Sequence, residues 1–187
     1  EMVNAAKAKG VKLMTDFQNR WNPPIVEAKR AIMDGEIGAP VAISARLANI
    51  YRVALQALSW SGQSGPEWFL FPHIIDAVRW MIEEEPRRVF AVGQKKILKA
   101  KGVDAYDAIQ ALIEFDNAFA CFETAWIMPE VMPNVLEFKI DVLGSDGKIE
   151  MTPAHNGVHI SGKKGSIIPF ISSSFLHIED HSHIIII

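Results

Sequence analysis

An imidazole and a carboxylate stand three residues apart at the mouth of an apolar helix. The stretch reads Gly65-Pro66-Glu67-Trp68-Phe69-Leu70-Phe71-Pro72-His73-Ile74-Ile75-Asp76 and runs on into Ala77-Val78-Arg79-Trp80. Residues three apart share a helix face, so His73 and Asp76 form a candidate catalytic pair. A histidine titrates near neutral pH and suits proton transfer to or from a hydroxyl. Asp76 could orient it or bind a substrate hydroxyl. Each has a plainer explanation: a helix-start histidine bonded to the preceding loop, and a first-turn carboxylate favoured by the helix dipole.

Four more residues are candidate substrate ligands. Asn19 and Arg20 follow a strand end, where α/β proteins place ligand contacts, although Arg20 could equally pin a linker by an ion pair. Glu67 and Trp68 flank the helix and could wall a pocket, while tryptophan at such a place more often packs into the core. Tyr51, Arg52 and Trp60 are further pocket candidates. Lone Cys121 sits in a strand-like run beside Glu123 and reads as a small core residue. His177, Glu179, Asp180, His181 and His183 match no zinc spacing, so no metal site is assigned.

The elements that must position these groups change character along the chain. Residues 1–9 read as a short amphipathic helix, with Gly10 as C-cap and a buried strand at 11–15. A chain opening inside such a helix and strand looks truncated, since that strand needs neighbours. Pro23 and Pro24 open a helix to about Met33, with Ile25, Ala28, Ile32 and Met33 as its apolar stripe. A strand follows at 41–48, an irregular segment at 49–71 and a helix at 72–83. Strand-like runs then succeed one another at 88–98, 107–115, 118–127, 135–144, 148–152 and 157–161. Asp116-Asn117, Asp146-Gly147, Asn156-Gly157 and Lys164-Gly165 supply turn chemistry between strands. The pattern predicts an α+β fold, an open and mainly antiparallel meander with helices on one face. Both alternating sets carry apolar residues, Phe119 and Cys121 on one and Phe122 and Trp126 on the other, so the uncovered face reads as a binding surface.

Of 187 residues, 49% are hydrophobic and 22% charged, an ordinary globular composition. A net charge of -3 gives no basic footprint for nucleic acid. No apolar run is long enough for a membrane span. The start Glu1-Met2-Val3-Asn4 is no signal peptide, and one cysteine suits a reducing cytoplasm. The four closing isoleucines are an aggregation liability and are set aside from the functional reading with the polar tail before them.

Several runs together resemble the Gfo/Idh/MocA family of NAD(P)-dependent oxidoreductases. Asp16-Phe17-Gln18-Asn19-Arg20-Trp21-Asn22-Pro23 is similar to the family's strand-to-linker segment. Ile32-Met33-Asp34-Gly35-Glu36-Ile37-Gly38-Ala39-Pro40-Val41 is similar to its helix end and following strand. The run from Gly65 to Trp80 resembles its active-site helix. Phe115-Asp116-Asn117 through Trp126, and Val142-Leu143-Gly144-Ser145-Asp146-Gly147-Lys148-Ile149-Glu150, resemble its sheet strands. The resemblance implies a remnant of a dinucleotide-binding domain at 1–16, a substrate-binding and oligomerisation domain at 17–176 and an anomalous tail at 177–187. No G-x-G-x-x-G occurs, and the family's upstream Glu-Lys-Pro motif is missing. Phe69 stands where many members carry an aspartate four residues before the histidine, and Phe71 where a glycine is common.

By this resemblance the intact parent uses NAD or NADP to oxidise a hydroxyl of a sugar or cyclitol. The chain itself is expected to bind no cofactor and to be inactive alone. Its expected partners are a small sugar or polyol and a second copy, met through the sheet face. An alternative is a non-catalytic dimerisation module that lost its acid/base chemistry at Phe69. A bare structural fragment is a third. An upstream Rossmann fingerprint and Glu-Lys-Pro motif would favour the enzyme.

Overall fold

The computed structural model describes residues 1–152, 157–162, 165–169 and 184–186. Helix α1 (Met2–Lys9) ends as read, with Gly10 at φ 66 accepting the left-handed turn. Strand β1 (Leu13–Thr15) is mostly exposed rather than buried. Its described neighbour is β10 (Ile184–Ile186), antiparallel, with Met14 opposite Ile185. Three of the four closing isoleucines therefore form a strand, as β-branched residues favour.

Helix α2 (Pro23–Met33) buries Ile25, Ala28, Ala31 and Ile32. Met33, expected on that stripe, is 49% exposed; at 100° per residue it lies further round than Ala31. Strand β2 (Pro40–Ile50) runs longer than expected, and its last four residues are buried. The segment expected to be irregular holds three short helical pieces: Val53–Ala57, Ser61–Gln63 and α3 (Pro66–Phe69). Helix α4 (Phe71–Ile82) follows and buries Ile74, Ala77, Val78, Met81 and Ile82.

Strand β3 (Arg88–Gln94) stops four residues short of the expected end, and α5 (Ile97–Ala100) replaces the rest. Asp107 explains the change. Its carboxylate accepts the backbone N–H groups of Lys96 and Ile97 at 2.7 and 2.8 Å through one oxygen, and of Leu98 at 2.7 Å through the other. Those are the orphan donors of a helix start. Then come β4 (Ala108–Glu114), β5 (Phe119–Met128), β6 (Leu136–Gly144), β7 (Lys148–Thr152), β8 (Gly157–Gly162) and β9 (Gly165–Ile167).

The eight described strands of the large sheet lie in the order β3-β4-β5-β2-β6-β7-β8-β9. It is not one continuous meander. β2 enters between β5 and β6, parallel to β5 and antiparallel to β6. The longest and most buried strand takes the centre, where a strand packed on both edges leaves no ladder group exposed. The remaining pairs are antiparallel, so the α+β class and the mainly antiparallel open sheet are as expected.

The core lies between the helices and one sheet face. Ala45, Leu47, Phe122, Trp126, Ile140 and Ile149 meet Ile25, Ile74, Val78 and Met81 there. At one end the turn between β6 and β7 docks on the loop between α2 and β2. Asp146 N–H donates to the Ile37 carbonyl and Ser145 N–H to that of Ala39, both at 2.9 Å. A Cβ at Gly144 would stand 2.2 Å from the Ile37 carbonyl oxygen, so only glycine permits this approach.

Asp107 carries a pH prediction. Burial disfavours its charged form most strongly, but the three N–H groups and nearby Lys96 outweigh it and hold its pKa below 3.8. A lowered native pKa gives stability above the unfolded value that is lost as pH falls through the native one. Asp107→Ala should cost about 1–3 kcal/mol at pH 7. In urea titrations the gap to the parent chain should narrow as pH falls through and below 3.8. A pH-independent gap would assign the loss to packing instead.

Candidate active site

Helix α4 divides the candidate residues between its two flanks. At 100° per residue, His73, Asp76 and Trp80 fall on one side, Phe71 and Ile75 on the other, with Ile74, Ala77, Val78 and Met81 between them on the core. The first flank faces α2 and the turn that leaves β1. The second faces a groove over β3 and β4.

On the first flank, Arg20 and Asp76 form a two-point pair. Arg20 Nε donates to Asp76 Oδ2 at 2.8 Å and Nη2 to Oδ1 at 2.6 Å. Asp76 is 8% exposed and Arg20 about a third. The hydrogen bond to Asp76 raises the Arg20 pKa against the opposing effect of burial. Both Asp76 oxygens accept from the guanidinium, the geometry of a linker-pinning ion pair. One turn further along, Lys29 of α2 donates to the Trp80 carbonyl at 2.7 Å and lies 4.5 Å from the Trp80 ring centroid. His73 is next in line toward the helix start, half-buried, with its backbone N–H on the Leu70 carbonyl at 3.2 Å. Asn19, half-buried, sits in the turn Gln18–Trp21 beside Arg20.

Glu67 belongs to the other flank. It lines a groove of about 370 Å³ with Phe71, Ile75, Val89, Tyr106 and Ile109. Its Oε2 is buried and has no hydrogen-bond partner among the described residues. A Cβ at Gly65 would lie 2.2 Å from that oxygen, so the carboxylate folds back over the glycine and would have to swing aside for a larger residue. Trp68 is 75% exposed and packs into no core. The structure thus gathers His73, Asp76, Arg20 and Asn19 on one side and sets Glu67 apart. Tyr106 was not singled out by sequence reasoning. Its only sequence signal was a tyrosine in a polar turn, and Gly93, against which its ring lies, is distant in sequence.

Phe69, at the position where the resemblance places an aspartate, is built into an aromatic cluster. Its ring centroid lies 5.5 Å from that of Trp60 and 5.9 Å from that of Trp126, itself fully buried. Tyr51 is half-buried with the Lys101 ammonium 5.8 Å from its ring. Arg52 is exposed, and its backbone N–H donates to Glu130.

A dinucleotide pyrophosphate makes a demand that the starts of α2 and α4 do not meet. That group needs several backbone N–H donors at a helix start. Helix α2 begins on Pro23 and Pro24, and α4 carries Pro72 in its first turn; proline has no N–H. No group of three or more potential metal ligands occurs among the described residues. The histidine-rich tail stretch lies outside them.

An open, mainly antiparallel sheet backed on one face by α2 and the histidine-bearing α4 defines an α+β domain. Residues 25–150 match the model of the GFO/IDH/MocA C-terminal domain, and the chain belongs to that family. It is 30% identical over 176 residues to scyllo-inositol 2-dehydrogenase (NAD(+)) of Bacillus subtilis, covering 90% of this chain and 49% of that protein. It is 26% identical over 167 residues to inositol 2-dehydrogenase of Rubrobacter xylanophilus, covering 84% and 43%. An NAD binding oxidoreductase from Klebsiella pneumoniae shares the fold with a TM-score of 0.71 at 24% identity, covering 90% of this chain and 48% of that one. The chain spans about half the length of the curated relatives it matches.

The aromatic setting of Phe69 makes a prediction. Phe69→Asp should not create an acid/base residue. It should bury a carboxylate beside Trp60 and Trp126 and lower stability by about 2–4 kcal/mol in urea denaturation. A variant as stable as the parent would show that position 69 can turn outward.

Proposed function

We propose that this chain is the substrate-binding half of an NAD(P)-dependent dehydrogenase acting on a sugar or cyclitol hydroxyl, with His73 as the acceptor of the hydroxyl proton. One observation carries the reading. The only histidine of α4 lies on the flank facing the turn Gln18–Trp21, through which the family's nucleotide-binding half connects. The inositol dehydrogenases among its relatives supply the substrate class. Oxidation of a carbinol sends its proton and its hydride to different acceptors, and this chain encodes only the proton's. Asn19 and Trp68 are the residues on hand to meet substrate hydroxyls. The cofactor, NAD or NADP, belongs to the rest of the parent. No helix of the described residues is long and apolar enough to cross a membrane, and a cytoplasmic enzyme accords with the lone Cys121.

A second reading rests on Phe69. With a half-buried aromatic packed at the acid position, the domain serves as a non-catalytic assembly module. Either reading includes a homodimer through the sheet face away from the helices. That face is more polar than the sequence pattern suggested. Arg46 pairs with Glu123 at 2.7 Å, Gln110 Nε2 donates to Glu123 at 2.9 Å, and Lys139 and Asp141 stand beside them. Leu112, Phe119 and Leu143, each more than 40% exposed, add apolar contact.

His73→Ala in the full-length parent should lower kcat by about a hundredfold to ten-thousandfold, with a smaller change in the Michaelis constant. An unchanged rate would leave the assembly module standing. Isolated, the 187-residue chain should show no micromolar NAD binding by calorimetry, because no pyrophosphate cradle is encoded; measurable binding at that level would contradict the division of labour. Light scattering at low micromolar concentration, on a chain lacking residues 184–187, should report a dimer. An obligate contact would bury on the order of 2,000 Å² or more, and a clean monomer would exclude it.

A further inference from the structure

We infer that Arg20 and Asp76 are a positioning clasp rather than a catalytic pair: they lock the turn leaving β1 onto the flank of α4 that presents His73. The inference rests on the dehydrogenase reading for its kinetic consequence and on geometry for the clasp itself. Two parallel hydrogen bonds between a planar guanidinium and a planar carboxylate fix direction as well as distance. The bonds measure 2.8 and 2.6 Å and join residues 56 apart in sequence. The pair is nearly dry on the aspartate side, at 8% exposure, so water screens it less than a surface pair. Arg20 is also steadied from behind, its guanidinium carbon 5.5 Å from the Phe17 ring centroid.

The clasp has a mate. Lys29 ties α2 to the same flank through the Trp80 carbonyl and the Glu83 carboxylate, at 2.7 and 2.6 Å. Trp80, Asp76 and His73 succeed one another along that flank toward the helix start. The first is held by α2 and the second by the linker turn. The third, His73, comes next to the clasp along that flank. A linker anchored one turn from the base sets where the preceding half of the enzyme stands relative to that base. Errors of about 1 Å in such placement cost roughly a hundredfold in rate.

The test has two arms. In the 187-residue chain, hydrogen exchange is followed by mass spectrometry for Asp76→Asn and Arg20→Gln, each checked for native circular dichroism. Arg20→Gln, at a residue one-third exposed, serves if Asp76→Asn fails to fold. The clasp predicts that exchange at the Arg20 and Asn22 amides, bonded at 3.0 and 3.1 Å within the turn, quickens tenfold or more in both variants, while the α2 interior keeps its protection. Unchanged exchange in a folded variant overturns the clasp.

In the full-length parent, with myo-inositol as the probe substrate, each single variant should lower kcat about tenfold with the Michaelis constant within threefold. Arg20→Gln/Asp76→Asn should cost no more than the worse single change. A raised Michaelis constant with kcat intact, or effects that multiply, would make Asp76 a substrate ligand and refute the positioning role. Quickened exchange together with a wild-type parent that oxidises no polyol would sink the dehydrogenase reading and leave the clasp in place.

Discussion

The insertion of β2 between β5 and β6 is the constraint on which the rest depends. Without it the sheet would be two separate meanders, β3-β4-β5 and β6-β7-β8-β9, with no strand to join their apolar faces beneath the helices. With it, Ala42 to Ala48 is paired on both sides, parallel to β5 and antiparallel to β6. The result is one continuous apolar surface, onto which Ile25 of α2 and Ile74, Val78 and Met81 of α4 press. Its inner face is apolar at Ile43, Ala45 and Leu47, and buried Asn49 near the strand end donates to the Val135 carbonyl. The docking of Gly144-Ser145-Asp146 on the loop ahead of β2 then fixes where β2 begins. Two of the runs that carried the family resemblance turn out to be the two halves of this one joint.

Seating α4 on that surface sorts its side chains without reference to chemistry. The core takes the most apolar stripe, and what remains is divided between two flanks. Charge settles one of them: Arg20 and Lys29 reach it from the linker turn and from α2, and each finds an acceptor on α4 or just beyond it. The other is settled by shape, since β3 extends past the helices and leaves an apolar groove with the Glu67 carboxylate at its rim. The burial of Phe69 against Trp60 and Trp126 follows from the same seating. α3 must cross over the buried end of β5, and an aromatic side chain fills that space where a carboxylate would be stranded.

The open face obeys a different rule. Alternation along each strand sends Arg46, Glu123, Glu137, Lys139 and Asp141 to the side without helices. Cross-strand neighbours of opposite sign then pair, as Arg46 does with Glu123 and, more loosely, with Glu137. The mixed charges lie between the exposed apolar side chains of Leu112, Phe119 and Leu143.

Much of this was written locally. Turn pairs such as Asp116-Asn117 and Asp146-Gly147, the Pro23-Pro24 helix start, the Gly10 cap and the strand alternation each depend on residues close in sequence, so the class of fold and the helix bearing His73 could be read directly. Family membership was legible too, because it rests on the order of such local runs. What could not be read was every outcome that needs two distant segments to meet. The short α5 exists because Asp107 reaches back to three N–H groups. β2 sits at the sheet centre because long-range pairing, not chain order, ranks the strands. Asp76 is occupied because Arg20 arrives from 56 residues away, and Glu67 parts from His73 because helical phase only acquires meaning once the core has chosen its face. Propensity and periodicity act over a few residues, whereas burial and ion pairing depend on which surfaces the folded chain brings into contact.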